Sequence, residues 1–203
     1  QASALLARLI DDVPLAKDFD ALRCYEGKGA STYFQAFGSL FEPPFQFTHR
    51  NKRPPKDPVN SLMSLGYTLL RHNVHAFIET IGLHPHFGTF HTNFDSRPAL
   101  VCDLMEEFRA PIVDSFVAYL VNSKVFQLED FTPPDERKGV YLHQDSLRKF
   151  VKHWEDKLQT RITHPVTQLE VPYRRCIELQ VREYVACLLG DIDAYRPMLW
   201  PLK

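Results

Sequence analysis

Long uncharged stretches, closely spaced cysteines, internal repeats and low-complexity segments are all missing from this chain of 203 residues. Its longest uncharged runs are far shorter than the ~20 apolar residues that a transmembrane helix needs, so we expect no membrane span and no membrane partner. The four cysteines are widely separated and form no CxxC pair. This pattern favours reduced structural thiols in a cytosolic protein.

A strong net charge is lacking as well, because the 24 Lys and Arg residues are nearly balanced by 25 Asp and Glu residues. Such a balance does not indicate nucleic-acid binding by itself, so that function has to depend on local basic patches. One patch lies in the segment 49–56, and others lie on predicted helices. The candidate phosphate contacts in these patches are Arg50, Arg53, Arg71, Arg174 and Arg175.

Hydrophobic periodicity predicts a mainly α-helical fold with a minor β-hairpin, within a single domain that covers 1–203. The hairpin is expected where VFQLEDF (125–131) pairs with GVYLHQ (139–144). The predicted helices are 2–10, 30–41, 59–82, 97 to a bend or break at Pro111, 112–123, 145–160 and about 167–189.

Glycine and proline mark the predicted boundaries of these elements. Two glycines in EGKGA predict a turn at 26–30, and five prolines in 42–58 exclude a helix there. Because 42–58 also contains several basic residues, we expect it to be a flexible arm. Asp57 and Pro58 are typical of a helix start, and Gly82 is typical of a helix end.

Three acidic residues crowd one flank of the helix that starts at 97. Asp103 and Glu106 are three residues apart, which places their Cβ atoms roughly 5–6 Å from each other, and Glu107 is adjacent. Like charges this close destabilise a helix unless a positive partner offsets them. The partner can be Arg109, a helix dipole or a metal ion, and the sequence alone leaves these three open.

A histidine and a distant glutamate are further candidates for a metal site. The loop at 83–96 contains Gly88 and can return His91 to the acidic flank. Two carboxylates and one imidazole suit Mn²⁺, Mg²⁺ or Fe²⁺ better than a structural zinc. Glu26 is either an ordinary first-turn glutamate stabilised by the helix dipole or a third ligand.

Five segments, in this order and spacing, resemble the motifs of one family. They are YEGKGASTYF, KRPPKDPVNSLMSLGYTLL, GLHPHFGTFHTN, LVCDLMEEFRAPIVD and VPYRRCIELQVREYVACLLG. The chain resembles the carboxy-terminal catalytic domain of the CRISPR-associated spacer integrase and endonuclease, from about residue 18 to 197. The family's amino-terminal β-domain is expected to be absent from this chain.

The resemblance implies a multi-helix catalytic domain that binds one Mg²⁺ or Mn²⁺ ion. Its ligands would be Glu26, His91 and Glu106, and Asp103 matches a further catalytic acid beside the metal. Arg109 matches a basic residue near the site and is a further candidate DNA contact.

The implied activity is metal-dependent insertion of captured DNA into a CRISPR repeat by attack of a 3′-hydroxyl on a phosphodiester, with DNA cleavage when water attacks instead. The implied partners are protospacer and repeat DNA, the small second protein of the adaptation module, and a second copy in a full-length homodimer. The implied location is the prokaryotic cytoplasm. Two alternatives stay open: a DNA-binding and assembly domain with a weak or silent active site, and an unrelated iron oxygenase.

Overall fold

The computed structural model describes residues 1–91, 98–134 and 138–199. Within these ranges the chain is mainly α-helical, and its strands are confined to two short antiparallel pairs. The helices are α1 (Ala2–Asp12), α2 (Phe19–Gly38), α3 (Pro58–Ile81), α4 (Ala99–Phe108), α5 (Ser115–Asn122), α6 (Gln144–Gln159) and α7 (Tyr173–Leu189). The strands are β1 (Phe131–Thr132), β2 (Tyr141–Leu142), β3 (Arg161–Thr163) and β4 (Glu170–Pro172). The predicted fold class is therefore confirmed.

The chain divides into two compact units. The first contains Gln1–Leu62 and Leu120–His143, and the second contains Met63–Tyr119 and Gln144–Lys203. The expectation of a single domain over 1–203 stays a prediction. In the part of the chain that the structure describes, no helix has the length and apolar character that a membrane span requires.

The core of the first unit is an aromatic cluster on α2 and the segment that follows it. Phe37 lies with its ring centroid 5.0 Å from that of Phe41 and 5.5 Å from that of Phe47, both in edge-on contacts. Phe45 and Phe47 are buried although they belong to the proline-rich segment 42–58. Their burial anchors this segment, and the flexibility expected for it stays a prediction.

Helix α2 does not contain the turn that was predicted at 26–30. It runs without interruption from Phe19 to Gly38, with Asp18 as its cap: the Asp18 carboxylate accepts from the backbone N–H of Ala21 at 2.8 Å. The prediction of a turn was wrong because a glycine inside a helix costs only about 1 kcal/mol relative to alanine, which packing can offset. Gly29 lies against the Leu6 side chain of α1, which would be 4.0 Å from a Cβ atom added to this glycine.

Both predicted ends of α3 are confirmed. The Asp57 carboxylate accepts from the backbone N–H of Asn60 at 2.8 Å, and Pro58 is the first helical residue. Gly82 ends the helix with a φ of 94°, in the left-handed region that favours glycine. Within the second unit, Gly66 of α3 allows close packing, since a Cβ there would lie 2.7 Å from a methyl group of Val113.

The chain does not break at Pro111. Helix α4 continues through a π-helical turn, Arg109–Asp114, directly into α5. A π-helical turn lengthens the backbone hydrogen-bond ring and so accommodates a residue that lacks an N–H. The helix predicted at 112–123 consequently begins only at Ser115.

The predicted hairpin is present, and a second one was missed. In the first unit β1 pairs with β2, with Phe131 opposite Leu142. In the second unit β3 pairs with β4, with Ile162 opposite Val171. The last helix was expected from about 167, but the second hairpin occupies its first residues and α7 starts at Tyr173.

Candidate metal centre

The carboxylate of Asp103 on α4 binds the loop that precedes this helix. Its Oδ2 accepts hydrogen bonds from the backbone N–H groups of Thr89 and Phe90, at 2.6 and 3.1 Å. Its Oδ1 accepts from the backbone N–H of His91 at 2.9 Å. One carboxylate thus fixes three consecutive residues of the loop, of which the last is a predicted metal ligand.

Gly88 lets the loop approach the start of α4 closely. A Cβ at this position would lie 2.6 Å from the carbonyl carbon of Ala99 and 2.6 Å from Oδ2 of Asp103. On the other side of the loop, the backbone N–H of Leu100 donates to the carbonyl of Pro85 at 3.0 Å. The described part of the loop is therefore held both at Pro85 and over the residues 88–91. The last five residues of the predicted loop, 92–96, lie outside the described residues.

The same carboxylate orients the ring of His91. Nδ1 of His91 lies 2.7 Å from Oδ1 of Asp103. Because a carboxylate at Nδ1 accepts the ring proton's hydrogen bond, this contact favours the neutral tautomer with its proton on Nδ1 and its lone pair on Nε2. A carboxylate that holds a histidine in this tautomer is a common support of metal-binding histidines.

His91, Glu106 and Glu26 offer the donor atoms of a metal site. Among the residues that the structure describes, they form the one group of three that could hold a metal ion. Each offers one ligand atom, and these atoms lie within 4.8 Å of one another. Glu26 belongs to α2 and Glu106 to α4, and both are exposed. One nitrogen and two carboxylate oxygens are consistent with a divalent metal ion.

The intrahelical ion pair that the spacing allowed is also present. Nη1 of Arg109 lies 2.7 Å from Oε1 and 2.8 Å from Oε2 of Glu106, and its guanidinium carbon lies 4.8 Å from the ring centroid of Tyr67. Burial alone would lower the pKa of Arg109, but the charge of Glu106 and the Tyr67 side chain outweigh it and raise that pKa above its ordinary value. Arg109 therefore stays charged and restrains the Glu106 side chain.

Glu107, the third acid of the flank, has a separate set of partners. It accepts hydrogen bonds from the hydroxyl of Tyr195, from Nε2 of Gln180 at 3.1 Å and from the backbone N–H of Met198 at 2.6 Å. Burial raises the pKa of Glu107, although these hydrogen bonds act in the opposite direction. Glu107 thus attaches the segment after α7 to the helix that carries Glu106. Sequence spacing could not reveal these contacts, since the partners are 73 to 91 residues away.

Arg50, a predicted DNA contact, takes part in holding the segment 42–58. Its Nη1 donates to Oδ1 of Asn60 at 2.7 Å. Asn60 is fully buried, and it also accepts from the backbone N–H of Asn51 at 3.0 Å and donates to the carbonyl of His49 at 3.0 Å. These contacts attach the basic segment to the start of α3. A role of Arg50 in DNA binding stays a prediction.

The other predicted DNA contacts lie at the surface. Arg174 pairs with Glu155 of α6, and Arg175 pairs with Glu178 one turn further along α7. Arg53 is exposed and Arg71 is half-buried on α3. Ion pairs at a protein surface contribute only about 0–1 kcal/mol to stability. Arg174 and Arg175 can therefore exchange their carboxylate partners for phosphates at little cost in free energy. Their binding to DNA stays a prediction.

Comparison with known proteins places this chain among CRISPR proteins. The CRISPR-associated endonuclease Cas1 3 of Thermus thermophilus is 42% identical over 183 residues, which cover 90% of this chain and 54% of that protein. A casposase bound to integration product matches with a TM-score of 0.86 at 25% identity, over 96% of this chain and 55% of the other. A Cas6-RT-Cas1–Cas2 complex matches with a TM-score of 0.87 at 25% identity, over all of this chain and 22% of the other.

The match covers only part of these proteins. The chain spans about half the length of the Thermus relative and of a second relative from Rhodospirillum rubrum, with 54% covered in each. The sequence profile of the family described as CRISPR associated protein Cas1 matches residues 1–156. The resemblance seen in the sequence motifs is thereby confirmed, and the chain belongs to the Cas1 family.

Proposed function

We propose that this chain is the catalytic domain of a CRISPR adaptation integrase, which inserts captured DNA into the repeat array. The observation that carries the proposal is the group formed by Glu26, His91 and Glu106, whose ligand atoms lie within 4.8 Å of one another. The names of its relatives support the reaction class, since a homologue of 42% identity is named an endonuclease.

In the proposed reaction a 3′-hydroxyl oxygen of the captured DNA attacks a phosphorus atom of the repeat. A new P–O bond forms as the attacking hydroxyl gives up its proton to solvent, the bond from phosphorus to the 3′-oxygen of the repeat strand breaks, and that oxygen takes up a proton from solvent and leaves as a hydroxyl. Hydrolysis is the same displacement with water as the nucleophile. Both need a site that stabilises negative charge on the phosphate and aligns the attacking oxygen.

The donor atoms of Glu26, His91 and Glu106 would hold one Mg²⁺ or Mn²⁺ ion, because both accept carboxylate oxygens and Mn²⁺ also accepts imidazole. Such an ion supplies Lewis acidity at the phosphate and helps to generate the nucleophile. Asp103 keeps the lone pair of His91 on Nε2, and Arg109 restrains Glu106. Asp103 is thus a positioning residue in this proposal, which acts through His91.

Strand-transfer assays on the full-length protein test the proposal. Glu26→Ala, His91→Ala and Glu106→Ala should each abolish strand transfer and DNA cleavage while the thermal unfolding midpoint changes little. Glu79→Ala is a matched control, since Glu79 is an exposed helical glutamate that pairs with His75 of its own helix. Retained activity in all three variants would overturn the assignment.

A crystal soaked in Mn²⁺ provides a second test, which is independent of activity. We expect an anomalous peak bounded by Glu26, His91 and Glu106. DNA binding without turnover and without this peak would instead favour a DNA-binding and assembly domain with a silent site.

The proposed partners are DNA, the small second adaptation protein and a second copy of the full-length protein, in the prokaryotic cytoplasm. Two matched structures support the first two, since their names are a casposase bound to integration product and a Cas6-RT-Cas1–Cas2 complex. Phosphate contacts make DNA binding salt-dependent, with a slope that falls by about one for each contact removed. Arg53→Ala, Arg71→Ala and Arg174→Ala should each reduce this slope, which titrations at several salt concentrations measure.

A further inference from the structure

Phe87, on the loop that carries His91, exposes its apolar side chain to solvent. With 72% of its surface exposed, it is the most exposed phenylalanine or tyrosine among the large exposed hydrophobic side chains of the described residues. A single exposed apolar side chain is ordinary on a protein surface. Three further observations distinguish Phe87 from that ordinary case: a stacked imidazole, a fixed backbone and the position of His91.

One face of the Phe87 ring is covered by an imidazole. The ring centroids of His84 and Phe87 lie 4.6 Å apart with an interplanar angle of 30°, and the ring of His86 lies 5.7 Å from that of His84. The backbone N–H of His86 donates to Nδ1 of His84 at 3.3 Å, so this nitrogen carries the lone pair in the neutral ring. The stack packs one face of the Phe87 ring against His84, and the exposed fraction of 72% leaves most of the side chain accessible to solvent.

The backbone on both sides of Phe87 is anchored to α4. The Pro85 carbonyl accepts from the backbone N–H of Leu100, and Gly88 lies so close to Ala99 that no side chain fits between them. A ring on such a backbone is presented to solvent in a defined place, which is the property of a preorganised binding surface.

The position along the chain indicates which ligand the ring meets. His91 lies four positions after Phe87, so their Cα atoms can be at most about 14 Å apart. A DNA strand whose phosphate reacts beside His91 therefore passes Phe87 within a few nucleotides. Exposed aromatic rings bind unpaired bases of any sequence by stacking, because every base has a π-face.

We propose that Phe87, supported by His84, is a stacking site for one terminal or unpaired base of the DNA substrate, a few nucleotides from the reacting phosphate. The inference rests on the proposed function, since it needs DNA at the metal centre. Phe87 would contact a base, whereas the other residues of the proposed site act at the phosphate.

The test is a double-mutant cycle on the full-length protein, with binding followed by the anisotropy of a labelled branched DNA. Phe87→Ala should weaken binding by roughly tenfold, within the range measured for stacked bases, while Phe87→Trp retains it. Abasic sites are then placed one at a time on either side of the reacting phosphate. At one position the abasic site should weaken binding to the wild-type protein but have no further effect on Phe87→Ala, because the partner ring is already absent.

Tyr119→Ala is the matched control, since Tyr119 is also aromatic and 59% exposed. Equal effects of the abasic sites on wild type and Phe87→Ala, with DNA binding and strand transfer otherwise intact, would overturn the stacking site and leave the proposed function standing. Loss of self-association in Phe87→Ala without any such coupling would assign the ring to a protein interface instead. Absence of DNA binding by the wild-type protein would overturn the proposed function together with this inference.

Discussion

Replacing Asp103 by asparagine tests how the chain prepares His91 to bind a metal. Each oxygen of this carboxylate accepts two hydrogen bonds: Oδ2 from Thr89 and Phe90, and Oδ1 from the backbone and the ring of His91. The nitrogen of an asparagine side chain cannot accept. If it replaces Oδ1, it donates to Nδ1 of His91, and the ring proton moves to Nε2. The ring nitrogen that faces away from Asp103 then has no lone pair for a metal.

The expected magnitude follows from these contacts. Loss of a supporting carboxylate typically weakens metal binding by about 10- to 100-fold, which corresponds to roughly 1.4–2.7 kcal/mol. The free energy of unfolding should fall as well, because hydrogen bonds to a charged group are worth about 1.5–3 kcal/mol each. We expect a total loss well below the sum over the four contacts, about 1–3 kcal/mol, since asparagine can keep some of them and water can replace others near the surface.

Two measurements separate the effects on binding and on stability. Calorimetric titration with Mn²⁺ gives the dissociation constant, and urea denaturation gives the free energy of unfolding. Asp145→Asn is the control, since the Asp145 side chain is 92% exposed and pairs only at the surface with Arg148, at 2.9 Å. Metal affinity equal to that of the wild type, together with a lower unfolding free energy, would refute the argument: Asp103 would then stabilise the loop without setting the tautomer of His91.

Three further predictions concern stability and reactivity. Gly88→Ala should destabilise the protein by about 1–3 kcal/mol in urea denaturation, since the added methyl group overlaps the start of α4; an unchanged midpoint would contradict the close approach. Tyr195→Phe should reduce the unfolding free energy by about 1 kcal/mol, because Glu107 loses one donor, and Tyr184→Phe serves as its control. Cys176 should not react with a thiol reagent at neutral pH, because it is buried and burial raises its pKa to about 11. Exposed Cys24 should react, and mass spectrometry of labelled peptides distinguishes the two.

Elements whose signals are local were predictable from the sequence. Asp57 and Pro58 begin α3 and Gly82 ends it, because a cap, a fixed φ and a left-handed residue act on their immediate neighbours. The first hairpin was also predicted, and the bounds of α6 were predicted to within one residue. Local signals misled at 26–30, where two glycines suggested a turn, because the packing of α1 against α2 is not encoded in the glycines themselves.

The candidate site divides in a similar way. The ligand types and their motif context were visible, so Glu26, His91 and Glu106 could be named from the sequence. The separate tasks of the neighbouring acids could not be seen. Spacing places Asp103 and Glu107 on the same flank as Glu106, yet one binds backbone N–H groups of a loop and the other binds residues far along the chain. Only the tertiary structure decides which donors face each carboxylate.

The contact between Glu107 and Met198 can form only after the residues between them have been synthesised. The two residues are 91 positions apart, so a ribosome that adds about 5–20 residues per second completes the pair roughly 5–18 s after Glu107 is made. During that interval α4 lacks its link to the segment after α7, whereas Asp103 and His91, only 12 positions apart, can already meet. The helix that carries Glu106 therefore receives this attachment only after α5, α6 and α7 have been synthesised.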